Sequence, residues 1–84
     1  MAELLFTVEQ TFMITGRGLI FVPGIKKFVA TGTEVKIIKP DKTEIFSVIT
    51  GVEHRAVNGA HAVLLRGGFA KADIPIGTEV WTLD

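Results

Sequence analysis

Few side chains in this 84-residue chain have the type and spacing that chemistry needs. His54 and His61 flank an Asn58-Gly59 pair and approach each other if that pair turns the chain back on itself. A zinc-type site needs further donors converging on the same point. Glu53 is the one nearby carboxylate, and as the strand neighbour of His54 it points to the opposite face. There is no cysteine, so there is no thiolate ligand and no disulfide framework. No metal and no cofactor are expected. Glu53, Asp73 and Glu79 have nothing to fix the separation that an acid–base pair requires, and solvated surface is the ordinary place for carboxylates. No serine or threonine has an identifiable base beside it. Gly16-Arg17-Gly18 lacks the third glycine and the following helix of a dinucleotide fingerprint, so it reads as a bend from which Arg17 pairs with a carboxylate or caps strand ends. The expectation is a binding protein and not an enzyme.

The elements that position these residues are strands. Leu4 to Val8 and Thr11 to Thr15 read as one long first strand, bent and bulged near Glu9. Gly16 and Gly18 turn it into a second strand, Leu19 to Val22, which Pro23-Gly24 is expected to stop. Ile25 to Ala30 is extended, with Lys26 and Lys27 facing water, and Thr31-Gly32 turns. Val35 to Ile38 and Ile45 to Val52 form a pair around a Lys39-Pro40-Asp41-Lys42 turn, with Gly51 marking a bulge or barrel bend. Asn58-Gly59 supplies the two positive-φ positions of a tight type I′ hairpin leading into Ala62 to Arg66. Gly67-Gly68 breaks that strand. Ala70 to Ile74 makes one helical turn ended by Pro75, and Glu79 to Leu83 closes the chain. Gly32-Thr33-Glu34-Val35 and Gly77-Thr78-Glu79-Val80 are identical tetrapeptides where a turn feeds a strand, which implies shared turn chemistry.

No segment keeps a helical period over three turns. Short, two-faced apolar strands therefore predict an all-β domain spanning residues 1–84, a small closed antiparallel Greek-key barrel of six or seven strands. Closure removes exposed strand edges. Nine basic residues balance nine acidic ones, which argues against a protein held on nucleic acid by bulk charge. The longest apolar run falls far short of the roughly 20 residues of a membrane helix, and no signal segment is evident, so the expected setting is the cytoplasm, with no membrane. Apolar residues make up 48% of the chain, more than so small a core can hold. A protein partner or a homo-oligomer is expected, with Phe21, Phe28 and Trp81 as interface aromatics.

Thr11-Phe12-Met13-Ile14-Thr15-Gly16-Arg17-Gly18 resembles the opening of the second domain of translational GTPases such as elongation factor Tu, the β-barrel that follows the GTP-binding domain. Three later stretches resemble the same family in the same order. These are Gly32-Thr33-Glu34-Val35, then Thr50-Gly51-Val52-Glu53 with His54-Arg55, then Leu64-Leu65-Arg66-Gly67 through Lys71-Ala72-Asp73-Ile74 to Gly77. The likeness runs from about Val8 to the end. The sequence departs from the pattern in several places. Asn58-Gly59 replaces a longer loop, and Val22-Pro23-Gly24 replaces a threonine-glycine-arginine turn. Gln10 stands for an acidic residue, and His54 lies one place closer to the glutamate. No phosphate-cradling G-x-x-x-x-G-K-[ST] loop is present, so no nucleotide binding is expected of this chain.

The family's second domain helps to hold the aminoacylated end of tRNA, and the resemblance carries that role to Glu9, His54 and Arg55. It implies an imidazole stacked on a terminal base and a guanidinium on phosphate. Two readings follow: a non-catalytic module contacting RNA or an aminoacylated tRNA end, with no role on DNA, and a protein-interaction or self-assembling barrel without a nucleic-acid role.

Overall fold

More and less buried residues alternate along 34–38 and 44–50, as strands with one face on a core require. The computed structural model describes residues 2–27, 29–54, 56 and 58–83. Its strands are β1 (Leu4–Thr7), β2 (Gln10–Ile14), β3 (Gly18–Ile25), β4 (Glu34–Ile38), β5 (Glu44–Val52), β6 (His61–Leu65) and β7 (Glu79–Thr82), with one 3-10 turn at Lys71–Asp73. All seven pair antiparallel in the order β1-β7-β4-β5-β6-β3-β2. The fold is all-β and barrel-like.

The expected sealed cylinder is corrected in one respect. The sheet is curled but its ladder is open, with β1 and β2 as its two edges. Those edges are successive parts of one bent strand. Val8 N–H donates to Thr78 O at 2.7 Å on the β7 side, and Glu9 N–H donates to Val22 O at 2.9 Å on the β3 side. The chain changes partner within two residues, so backbone continuity, not a last row of hydrogen bonds, joins the edges.

Val8, Phe21, Val35, Ile37, Ile49, Val63 and Val80 lie at the centre of the core. Phe21 is 0% exposed and meets Phe69 edge to face, with ring centroids 6.1 Å apart. Its expected place at an interface is therefore corrected: inward parity on β3 makes it core. Along β5 the inward residues are Ile45, Ser47 and Ile49, while Phe46 faces out at 66% exposure. The Gly51 bulge is present as a register shift between Ile49 and Gly51, after which Val52 packs on the core.

Pro23-Gly24 does not stop β3. The strand continues to Ile25, which faces His61 after a register shift. Gly24 has φ +93°, and a Cβ there would lie 1.8 Å from the His61 carbonyl oxygen. The glycine thus allows a bulge through which β3 stays close to β6, where a side chain would push the strands apart. The expected tight hairpin is also longer than a two-residue loop. Asn58 and Gly59 do take positive φ, at 54° and 79°, but β5 ends at Val52 and β6 starts at His61. The Glu53 carbonyl accepts from the His61 ring instead of a strand N–H, so the ladder ends early and residues 53–60 span the gap.

The Lys39–Lys42 turn forms as expected, with Lys42 N–H on Lys39 O at 2.8 Å. Hydrogen bonds from Thr43 hold the Asp41 carboxyl below its ordinary range. Its contribution is present above the unfolded-state value and fades as pH falls through the lowered one.

The two identical tetrapeptides make the same joint. Thr33 N–H bonds Ala30 O and Thr78 N–H bonds Pro75 O, closing turns in which Gly32 and Gly77 both have φ +97°. Gly32 N–H and Thr33 O then clasp the two backbone groups of Ile49, and Gly77 N–H and Thr78 O clasp those of Val8. The step from Gly32 to Gly77 also carries Lys36 to Trp81, which face each other in the β4–β7 ladder. The chain changes partner after Val8, and β5 shifts register after Ile49, so each joint lies beside an irregularity in the strand it clasps.

Urea unfolding separates the two uses of glycine. Gly24→Ala is expected to cost at least ~3 kcal/mol or to prevent folding, because backbone of β6 must move. Gly16→Ala, at φ +83° with nothing within 4 Å, is expected to cost only about 1–2 kcal/mol. Equal losses at the two positions would contradict this account.

Candidate functional site

Two open clefts lie side by side on the wall built by β2, β3 and β6 and by the connections at its end. The first, of about 610 Å³, has an apolar wall from Ile20, Val22, Pro23, Ala60 and Ala62. Glu9, Phe12, Lys26, Glu53 and Asn58 complete it. Glu9 reaches it from the bend between β1 and β2, where the change of partner leaves its side chain exposed. Phe12 is turned outward by the alternation of β2, opposite to buried Thr11, and is 46% exposed. Lys71, from the 3-10 turn, places its ammonium 5.9 Å from the centre of the Phe12 ring, within cation–π range.

The second cleft, of about 500 Å³, holds Lys26, Lys27, Glu53, His54 and His61 against Ile25, Val29 and Val52. Lys26 and Glu53 line both clefts and form the seam between them. Arg17 Nη2 donates to Glu53 Oε2 at 2.6 Å. Gly16 and Gly18 make this possible through backbone freedom, since their positive φ values turn the chain so that Arg17 projects toward the 53–60 connection. The pair is half exposed and contributes little stability, but it offsets the negative charge at the seam. His61 Nδ1 lies 2.8 Å from the Glu53 carbonyl oxygen. A carbonyl only accepts, so the ring nitrogen there carries a proton, and when the ring is neutral Nε2 is left as an acceptor.

The structure thus brings Glu9 and His54 to adjacent clefts of one face, and it brings His54 and His61 together in the second cleft. Asn58 and Gly59 shape the connection at the rim. Arg55, expected beside them, and Phe28, expected at an interface, lie outside the described residues. Phe12, Lys26 and Lys71 belong to the face although sequence reasoning passed over them. Strand parity gives a signal for Phe12; nothing local does so for the two lysines. Among the described residues no group of three His, Cys, Asp or Glu side chains is placed to hold a metal, and no helix is long and apolar enough to cross a membrane.

A second surface lies on the wall of β1, β7, β4 and β5. The registers Leu4–Trp81, Trp81–Lys36 and Lys36–Phe46 set one continuous outward row across four strands. Val48 and Leu83 adjoin it, with Glu34 and Arg66 nearby. Leu4, Phe46 and Leu83 are all exposed, and Trp81, expected at an interface, lies among them half buried. Its indole N–H is already used by Glu79 Oε1 at 2.9 Å, which leaves an apolar ring to face outward.

No protein-family model matches the sequence, and no curated protein matches it either.

The hydrogen bond at His61 has a spectroscopic consequence. Long-range proton–nitrogen NMR correlations, recorded at a pH where the ring is neutral, are expected to show Nδ1 as the protonated nitrogen of His61. A neutral His61 protonated at Nε2 alone would contradict the geometry.

Proposed function

We propose that this chain is a non-catalytic binding module of the translation-factor second-domain type, working in the cytoplasm, and that its first cleft receives the aminoacylated end of an RNA. One observation carries the reading. The cleft combines an exposed aromatic ring, an apolar wall and a carboxylate at the bend of the first strand. An aminoacylated ribose end offers the complement of each: a base to stack on Phe12, a side chain to lie on the wall, and an ammonium for Glu9. The order in which its stretches resemble that family's second domain supports the same reading. The balanced charge of the chain fits recognition by shape and stacking more than by bulk attraction.

Fluorescence anisotropy with aminoacylated and deacylated tRNA at low salt tests it. Preference for the acylated form is expected. Phe12→Ala is expected to weaken binding about tenfold, within the range of one stacked base. Glu9→Gln is expected to abolish most of the preference for the acylated form. Absence of binding to either RNA by the wild-type chain would end this reading.

The outward row on the other wall favours a second reading, association of two copies through β4 and β7. Lys36 sits between Phe46 and Trp81 with Glu34 and Glu44 beside it, so one copy offers both charges its twin needs. Light scattering is expected to show a dimer that Phe46→Glu converts to a monomer. A monomeric wild-type chain at high concentration would remove this second reading.

A further inference from the structure

We propose that the second cleft is a phosphodiester subsite centred on Lys26, which takes the backbone phosphate next to the terminal nucleoside. This inference rests on the reading of the first cleft given above and extends it along the RNA chain.

Continuity comes first. The two clefts share a seam, and Lys26 and Glu53 are the side chains that line both. A nucleoside seated in the first cleft sends its backbone over that seam or out into solvent.

The charge of the seam decides between these. Glu53 would repel a phosphate, but Arg17 bonds its carboxylate at 2.6 Å and offsets it. Lys27 lines the second cleft but is engaged by Glu3. Lys26 is exposed and, among the described residues, has no carboxylate partner. The seam therefore carries one uncompensated cation at the mouth of both clefts.

The histidines do not substitute for it. His61 donates its Nδ1 proton to the Glu53 carbonyl, and in the neutral ring this leaves Nε2 an acceptor, which cannot bond a phosphate oxygen. His54 is exposed at the rim and supplies a flat ring rather than a fixed charge when neutral. Cationic contact with phosphate thus falls to Lys26, with Lys27 as a weaker second that must leave Glu3.

Two probes separate this inference from the reading beneath it. One is an aminoacylated trinucleotide; the other is the corresponding aminoacyl-nucleoside, which has no phosphate. Both are titrated against the wild-type chain, Lys26→Gln and Lys26→Arg over a range of salt. Lys26→Gln is expected to weaken trinucleotide binding about five- to tenfold at low salt. It is also expected to flatten the slope of log K against log salt by about 0.7, the value for one single-strand phosphate contact. Lys26→Arg is expected to retain both; the nucleoside, which has no phosphate, is expected to lose less affinity than the trinucleotide on Lys26→Gln and to show no change of salt slope. A trinucleotide affinity and salt slope unchanged by Lys26→Gln overturn the subsite and leave the first cleft intact. A wild-type chain that binds neither probe overturns both. Because Lys26 is exposed, an unchanged urea midpoint for the two variants is expected and excludes misfolding as the cause.

Discussion

The fold depends on one strand serving two edges of the same sheet. At Val8 the chain stops pairing with β7 and at Glu9 it begins to pair with β3. A strand cannot do this while staying in a regular ladder, since its donors and acceptors would point at the wrong neighbour. Both backbone groups of Val8 are therefore clasped from outside the strand, by Gly77 N–H and Thr78 O. With that clasp in place the side chain of Val8 is buried, and that of Glu9, one residue on, must face out. The bend thus couples the core of the protein to the rim of its first cleft.

The same joint appears a second time at Ile49, where Gly32 and Thr33 take the clasping role. In both cases a glycine with positive φ ends a turn, and the following threonine enters a strand whose next inward residue is a fully buried valine, Val35 or Val80. The chain changes partner at the first clasp, and the sheet shifts register beside the second. The walls differ in what they face. The wall of β2, β3 and β6 is interrupted by the Gly24 bulge and by the long 53–60 connection, and it opens into clefts. The wall of β1, β7, β4 and β5 presents an outward row with apolar residues at both ends.

Charge is arranged by the same geometry. Arg17 and Glu53 are far apart in sequence, yet a glycine-flanked turn and a strand end bring them within hydrogen-bonding distance. Their pairing matters less for stability than for the field at the seam, because exposed pairs contribute little to folding. It leaves Lys26 as the cation of the seam with no carboxylate partner among the described residues. His61, held by the Glu53 carbonyl, ties the same short segment to β6.

Much of this architecture is legible in the residues alone, because strands and turns are local. Period-two burial, the Pro40 turn, the Gly51 bulge, the single turn before Pro75 and the paired Gly-Thr-Glu-Val joints all follow from dihedral preferences and alternation within a few residues. What tertiary structure decided is everything that depends on a neighbour from elsewhere in the chain. Phe21 and Phe46 are the same residue type in similar strands, yet one is core and the other surface, because parity acquires an inside only when the sheet curls. Pro23-Gly24 has the composition of a strand end, but β6 supplies pairing beyond it and the glycine's missing side chain lets the two backbones pass. The grouping of Glu9, Phe12, Lys26, Glu53 and the histidines on one face comes from that long-range pairing, and no spacing along the chain encodes it.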